Sequence, residues 1–183
     1  MGQFIERKGC WVLLETLKNL AKTRKDIFFY WLGTAPLSPE IIERVKFYDL
    51  VEHFRFFSAE EIGSQRADLL SFLSAADLFV MPSLEEGLPV ALIEAMALGK
   101  CCVASDTDAI PEAIEHLKTG FLIPPNDAAM LANAIENLLG ENSLRLKLGN
   151  NARIKVIEKF NDKKLGEIML ELYEKALDNK LYK

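Results

Sequence analysis

Short apolar runs alternate with amphipathic segments along this chain, and that alternation restricts the fold more than any other feature of the sequence. The runs lie at residues 27–33, 53–57, 77–82, 101–105 and 120–124. Most of them lack the polar alternation of a half-exposed strand, which is typical of strands buried on both faces. Such strands, separated by helices, predict an α/β fold: a Rossmann-like parallel sheet with helices on both faces.

The segments between the runs carry helical periodicity and residues that end helices. Predicted helices lie at 10–21, at 39–48, at 67–76, after Pro89, near Pro111, and at 128–139, 143–159 and 163–177. Gly99 is expected to end the helix after Pro89, in the left-handed conformation that glycine adopts readily. No repeat or linker interrupts the pattern, so residues 1–183 are predicted to form one domain that includes the C-terminal helices from about residue 143.

Composition and charge exclude two classes of function. The chain has 22 basic and 27 acidic residues and a formal net charge of −5, whereas a nucleic-acid-binding protein needs a basic face. No apolar run reaches the ~18 residues of a membrane-spanning helix. The cysteines, of which Cys101 and Cys102 are neighbours, are interpreted as reduced core residues, because neighbours on a strand face opposite sides. His53 and His116 stand alone in the sequence, and no metal site is predicted.

Within residues 83–105, Glu94 interrupts an otherwise apolar helical pattern at 90–98, and Glu86 lies eight positions before it. Glu86 and Gly87 fall in the preceding loop, at the mouth of a helix whose predicted first residue is Pro89. Free N–H groups and the positive end of the helix dipole favour an anion there, and Gly87 allows close approach. Glu94 lies just over one turn into the helix, where a carboxylate among apolar neighbours needs hydrogen-bond donors. Together these features predict a ligand with phosphate and hydroxyl groups, such as a nucleotide sugar.

Plainer interpretations of the same acids stay open at this point. Two acids eight positions apart occur by chance in many sequences. Glu85 or Glu86 would also serve as a solvated charge at a helix N-terminus. Glu94 could pair with Lys100 instead of binding a ligand.

The stretch PSLEEGLPVALIEAMALGKCCVAS closely resembles the signature of the retaining family-four glycosyltransferases, enzymes of GT-B fold in which two glutamates separated by seven residues bracket the sugar donor. Further segments match this family in the same order: GQFIERKG, YWLGTAPL, ADLFVMPS, IPEAIEHLKTGFLIPPND and LANAIENLL. The resemblance implies the second, C-terminal half of a GT-B enzyme. It also implies glycosyl transfer with retention at the anomeric carbon.

The resemblance assigns roles to individual residues. Glu86 would contact hydroxyls of the transferred sugar, and Glu94 the ribose hydroxyls of the nucleotide. Lys8 would neutralise the diphosphate and stabilise it as a leaving group. The other donor-binding positions are Gly2, Gly9, Gly33, Gly87, Leu88 and Pro89, with the segment after Phe57 bordering the nucleotide. The family uses no metal ion or other cofactor, and none is expected here.

Two departures from the family pattern bear on donor affinity. Gln3 stands where the family has an arginine, which removes one of two cations that face the diphosphate. Asp108 and Ala109 replace two glycines, and Asp108 adds a negative charge near the expected diphosphate.

In this family, a strand at the centre of the sheet and a whole acceptor-binding domain precede the element that begins at Gly2. The chain is therefore expected to be the donor-binding half of an enzyme, with a gap in its sheet and no transfer activity by itself. The implied partners are a nucleotide sugar, a saccharide or lipid-linked acceptor, and the N-terminal domain of the same enzyme, but no nucleic acid. The expected location is the cytoplasm, with contact to the inner membrane made through the missing domain.

Three other interpretations compete with a glycosyltransferase half. Half of a nucleotide-sugar epimerase or of a phosphorylase would share the fold but lack the paired-glutamate stretch in this form. A non-catalytic nucleotide-sugar-binding module would fit the departures at Gln3 and Asp108. A doubly wound signalling domain would explain the alternation of strands and helices, but not the ordered motifs.

Overall fold

The computed structural model describes residues 2–63, 65–160 and 169–175. The strands in these ranges are β1 (Phe29–Gly33), β2 (Phe54–Ser58), β3 (Leu78–Met81), β4 (Cys101–Ser105) and β5 (Phe121–Ile123). The helices are α1 (Cys10–Leu20), α2 (Pro39–Phe47), α3 (Ala59–Ile62), α4 (Arg66–Ser74), α5 (Val90–Ala97), α6 (Ile110–Ala113), α7 (Ala128–Gly140) and α8 (Asn142–Lys159). A 3-10 turn, Glu6–Lys8, leads into α1. Within the described ranges, no helix has the length and apolar character that crossing a bilayer requires.

The order of these elements confirms the predicted alternation of strands and helices. Each predicted strand is present, and the ends differ from the prediction by a few residues. The last predicted helix, 163–177, lies partly outside the described residues, and its described part, 169–175, is helical. The short helix α3 was not predicted, although Ser58 and Glu61 form the capping box that starts it.

Every strand pair in the described residues is parallel, as predicted, but the sheet is divided into two parts. β1 pairs with β2, with Phe29 opposite Phe54. β3, β4 and β5 form the second part in that order, with Leu78 of β3 opposite Cys101 of β4. The chain therefore has a parallel α/β fold whose strands do not form one continuous ladder.

A gap between β1 and β3 separates the two parts of the sheet, and we call it the interstrand slot. It is a cavity of about 650 Å³, lined mainly by apolar side chains of both strands and of the helices around them. The Phe29 N–H donates to His53 on the β2 side, so strand alternation directs the main-chain groups of Tyr30 and Leu32 into the slot. At one end, the Gly2 N–H donates to the Leu32 carbonyl at 3.0 Å. The expected gap in the sheet is present.

Helices cover both faces of the sheet and bury a separate core on each. On one face, α1, α2 and α7 pack around residues such as Leu14. On the other face, α5, α6 and the second half of α8 pack around residues such as Leu92. Neighbours on β4 enter opposite cores, Cys101 the first and Cys102 the second. The three cysteines are buried and free, which confirms their interpretation as core residues.

Both histidines have local structural roles. His53 is buried, and its Nδ1 lies 2.8 Å from the Ile27 carbonyl oxygen. His116 is exposed, and its Nδ1 accepts from the Leu122 N–H at 3.0 Å. No three His, Cys, Asp or Glu side chains of the described ranges gather into a group that could hold a metal ion.

Candidate functional site

The loop between β3 and α5 lies at the carboxyl end of the sheet and is held against the start of the chain. Gly9 has a φ of 73° and approaches Pro82 so closely that a Cβ would lie 1.9 Å from the Pro82 carbonyl oxygen. Only glycine fits this position. The Leu84 N–H donates to the Arg7 carbonyl at 2.9 Å. These contacts place the 3-10 turn that carries Lys8 directly beside the loop, and they give Gly9 a packing role.

Glu86 is the buried acid of this loop, with 9% of its surface exposed. Its Oε1 accepts hydrogen bonds from the Lys8 ammonium and from the Ser83 hydroxyl, the latter at 3.0 Å. Removing the ammonium would leave a buried carboxylate without its counter-charge, which is costly. The structure thus brings together the two side chains predicted to be catalytic, Lys8 and Glu86. Ser83 was not predicted, although its position three residues before Glu86 in a loop was a usable signal.

Asp108 forms part of the same loop structure and is not an isolated surface charge. Its φ of 46° lies in the left-handed region, which aspartate tolerates better than most residues. Its Oδ2 accepts from the Glu86 main-chain N–H at 2.8 Å. The Thr107 hydroxyl lies 3.3 Å from the same oxygen. A carboxylate of the chain therefore occupies one main-chain donor where an anionic ligand was predicted, and no local pattern indicated this contact.

The mouth of α5 is open to solvent. Pro89 has an extended ψ of 120°, so α5 begins one residue later, at Val90, and the prediction that Pro89 is the first helical residue is wrong by one position. As the cap residue, Pro89 still leaves no N–H unpaired. Nothing lies within 4 Å of the place where a Cβ of Gly87 would be, and Leu88 is 40% exposed. A ligand can therefore approach the main chain at Gly87 and Leu88.

Glu94 lies one turn inside α5, with 14% of its side chain exposed. The guanidinium of Arg66, the first residue of α4, contacts its Oε1. The alternative pairing with Lys100 is wrong, because the Lys100 ammonium donates to the Ala76 carbonyl at 2.9 Å. Arg66 was missed by sequence reasoning, since the contact depends on how α4 packs beside α5.

Gly2 and Gly33 lie near each other at the carboxyl end of β1. Gly2 is tied to that strand by its hydrogen bond to Leu32. Gly33 makes room for an aromatic ring, because a Cβ there would lie 2.2 Å from a ring carbon of Phe56. These contacts connect both glycines to β1 and β2, whereas Glu86 belongs to the loop after β3. Their predicted role in donor binding stays a prediction.

The cavity in the interstrand slot is a different feature from the predicted donor site. None of the residues predicted to bind the donor lines it. Its walls include main-chain edges of β1 and β3, and a strand edge of this kind is a template for pairing with another strand. The slot therefore belongs to the architecture of the sheet, and ligand binding at the mouth of α5 stays a prediction.

Comparison with known sequences identifies the family. The model of a family described as glycosyl transferases group 1 matches residues 1–155. A putative colanic acid biosynthesis glycosyltransferase, WcaL of Escherichia coli K12, is 30% identical over 184 residues, which cover 95% of this chain and 44% of WcaL. The chain thus spans less than half the length of this curated relative.

Solved structures of glycosyltransferases share the fold. The C-terminal domain of LpcC, a group 1 glycosyl transferase of Francisella tularensis, superposes with a TM-score of 0.77 at 24% identity, covering 88% of this chain and 84% of that one. HepE of Anabaena, solved in complex with UDP-glucose, superposes with a TM-score of 0.82 at 22% identity, covering 95% of this chain and 48% of HepE. With the fold of such a C-terminal domain and a family match over residues 1–155, this chain belongs to the group 1 glycosyl transferases.

Proposed function

We propose that this chain is the donor-binding domain of a retaining glycosyltransferase and that it holds a nucleoside-diphosphate sugar at the mouth of α5. The observation that carries the proposal is the contact of Lys8 with Glu86 beside the open main chain at Gly87. Glu94 lies one turn farther along α5, ~6 Å from its start. The site thus presents, in order, the Glu86 carboxylate, the Lys8 ammonium with the main-chain N–H groups beside it, and the Glu94 carboxylate. A nucleotide sugar presents the groups that these would bind in the same order: sugar hydroxyls, diphosphate and ribose.

The proposed chemistry concerns the charge that forms as the donor is cleaved. When the bond between the anomeric carbon and the phosphate oxygen breaks, its electron pair stays on the nucleoside diphosphate. The Lys8 ammonium and the N–H groups at Gly87 and Leu88 are preorganised donors for that charge, and such donors act most strongly in the transition state. Lys8 has three N–H donors, so it can serve the diphosphate and Glu86 together. In this proposal Lys8 and the helix mouth supply the positive charge, and no metal ion or other cofactor is required.

We assign Glu86 to binding sugar hydroxyls and not to attack on the anomeric carbon, because Lys8 and Ser83 already engage its Oε1. In this proposal no side chain of the loop attacks the anomeric carbon, and the acceptor hydroxyl attacks from the face that the diphosphate leaves. The hydroxyl gives its proton to the departing phosphate oxygen, so that the sugar is transferred with retention and without a covalent enzyme intermediate.

The test uses the intact protein that contains this domain. It is incubated in EDTA with UDP-, GDP- and ADP-sugars and with saccharide and lipid-linked acceptors, and the anomeric configuration of the product is read by NMR. UDP-glucose is tried first, because HepE was solved with it. Retention supports the proposal, whereas inversion, or transfer that occurs only with added divalent cation, contradicts it.

We further propose that transfer needs a second domain, which binds the acceptor. The chain covers only 44% of WcaL, and an acceptor must reach the sugar from the side opposite to Lys8 and Glu86. Holding both substrates together supplies much of the rate enhancement. In the same assay, the isolated 183-residue chain should therefore turn over no acceptor. Turnover by the isolated chain would refute this division of the enzyme.

A second candidate function, a nucleotide-sugar-binding module without catalysis, has one observation in its favour. The Asp108 carboxylate engages the Glu86 N–H, which places a negative charge where the donor's phosphates would approach. If that charge opposes the donor, removing it should strengthen binding in either function. The two functions then differ only in turnover by the intact protein.

Asp108→Asn is expected to tighten the binding of a nucleoside diphosphate by about threefold at low salt, because it removes one nearby negative charge. Asparagine keeps an oxygen acceptor for the Glu86 N–H and tolerates the left-handed conformation. Asp49→Asn is the matched control, since Asp49 is exposed and has a φ of 56°. Titration calorimetry at low and high salt measures the effect. Equal affinities for Asp108→Asn, Asp49→Asn and the parent would show that Asp108 does not oppose the donor.

A further inference from the structure

We infer that Arg66 is a positioning residue of the donor site, which holds the Glu94 carboxylate in place to accept ribose hydroxyls. The inference rests on the proposed function, because it takes Glu94 as the ribose-binding group. Arg66 belongs to none of the motifs that the chain shares with the family. It is identified only by its contact with Glu94.

The contact places an exposed cation on a mostly buried acid. The Arg66 side chain is 68% exposed and the Glu94 side chain 14%. In the described part of the chain, Arg66 is the one ion-pair partner of Glu94. Around Glu94, α5 buries Leu92 and Ala95 completely. A carboxylate in such surroundings is unfavourable without donors, so without Arg66 it would turn outward to water.

The start of α4 is built to present Arg66 in this position. The main-chain N–H of Gln65, which precedes α4, donates to the Asp68 carboxylate at 3.1 Å. The Asp68 side chain also packs on Gly63, where a Cβ would lie 2.2 Å from its Oδ2. These contacts close the first turn of α4 around Asp68 and fix the main chain from which Arg66 reaches α5.

The contact leaves room for a ligand. Arg66 engages Oε1 of Glu94, and a carboxylate has about four lone-pair sites. The hydroxyls of a ribose can therefore bind to Glu94 while Arg66 stays in contact with it. Arg66 thus orients the acid, and losing it should weaken binding of the ribose hydroxyls more than binding of the rest of the nucleotide.

The experiment compares ribonucleotides with their 2′-deoxy forms. The chain is titrated with UDP, GDP and ADP, and the diphosphate that binds most tightly is compared with its 2′-deoxy counterpart. Arg66→Ala should weaken the ribonucleotide about tenfold and the deoxynucleotide much less, because one hydrogen bond to a charged group is affected. The preference for ribose should then largely disappear. Arg66→Lys should restore part of the preference, and Arg153→Ala, which removes an exposed arginine from α8, should leave it unchanged.

A double-mutant cycle separates positioning from a general structural effect. In a Glu94→Ala background, Arg66→Ala should have no further effect on ribonucleotide affinity. Additive effects of Arg66→Ala and Glu94→Ala on ribonucleotide affinity would overturn the inference. So would an Arg66→Ala variant that keeps the preference for ribose or binds the ribonucleotide more tightly than the parent. Melting curves show whether the variant stays folded, and Arg66→Lys tests the role even if it does not. Absence of nucleotide binding by the parent would refute the proposed function itself, and with it this inference.

Discussion

Lys8→Ala in the intact glycosyltransferase is expected to lower kcat/KM by about 10²–10³-fold, the cost of removing one preorganised donor from a developing oxyanion. The negative charge on the diphosphate grows as the glycosidic bond breaks, so the interaction with the ammonium is stronger in the transition state than in the bound donor. Most of the loss should therefore appear in kcat, with a smaller rise in KM. Initial rates over a range of donor concentrations separate the two.

Loss of Lys8 also removes the counter-charge of the buried Glu86, so stability has to be measured beside activity. Lys8→Arg keeps the positive charge and should retain much more activity than Lys8→Ala. Lys22→Ala is the matched control, because Lys22 is an exposed lysine whose Nζ donates to Asn19 at 3.1 Å. A folded Lys8→Ala variant with the kcat and KM of the parent would show that Lys8 does not act on the leaving group.

The second large effect concerns the interstrand slot. We propose that in the intact protein an extended segment occupies it, lies parallel to β1 and β3, and joins the two parts of the sheet. The Gly2 N–H already donates to Leu32 as a ladder residue would. Fusing about five strand-forming apolar residues directly before Gly2 should fill the slot, since β1, along which they would pair, has five residues. The open strand edges of the slot should make the chain without this segment prone to association, and filling the slot should give a stable monomer.

The size of the effect follows from two opposing terms. Burying five Val or Ile side chains contributes about 2 kcal/mol each, or roughly 10 kcal/mol. Ordering five residues costs about 1.5 kcal/mol each, or about 7.5 kcal/mol. A net gain of about 2–3 kcal/mol corresponds to a rise in Tm of roughly 5–10 °C for a domain of this size.

The control for this extension has proline at alternate positions, because proline cannot donate to a ladder. Melting curves and light scattering are compared for the parent, the strand-forming extension and the proline-containing extension. The proposal for the slot would be contradicted if the two extended proteins had the same Tm and the same mass in solution.

Much of the fold could be predicted because it depends on local patterns. The apolar runs predicted the strands, and Pro89 and Gly99 marked the limits of α5, which is followed by Gly99 at a φ of 73°. The opposite orientations of Cys101 and Cys102 followed from the twofold period of a strand. The start of α5 was misplaced by one residue, since proline suits both a cap and a first helical position, and the capping box that starts α3 at Ser58 was overlooked.

The site was predictable only in part, because its side chains meet through tertiary packing. Lys8 and Glu86 are 78 positions apart, and the resemblance to a family indicated both, whereas no period in the sequence links them. Arg66 contacts Glu94 because α4 packs beside α5. Asp108 contacts the Glu86 N–H because the order of the strands brings the loop before α6 beside the loop after β3. No local pattern reports such contacts.

The measurement that tests the central claim most directly is calorimetric titration of the chain and its variants with UDP, GDP and ADP. We predict that the parent binds one of these diphosphates at a single site. Glu94→Ala should weaken the binding of that diphosphate by roughly 1–3 kcal/mol. Glu86→Ala should bind it nearly as the parent does, because Glu86 is proposed to face the sugar. Glu136→Ala, an exposed control on α7, should also bind like the parent. Absence of binding by the parent, or parental affinity in Glu94→Ala, would contradict a nucleotide-sugar site at the mouth of α5.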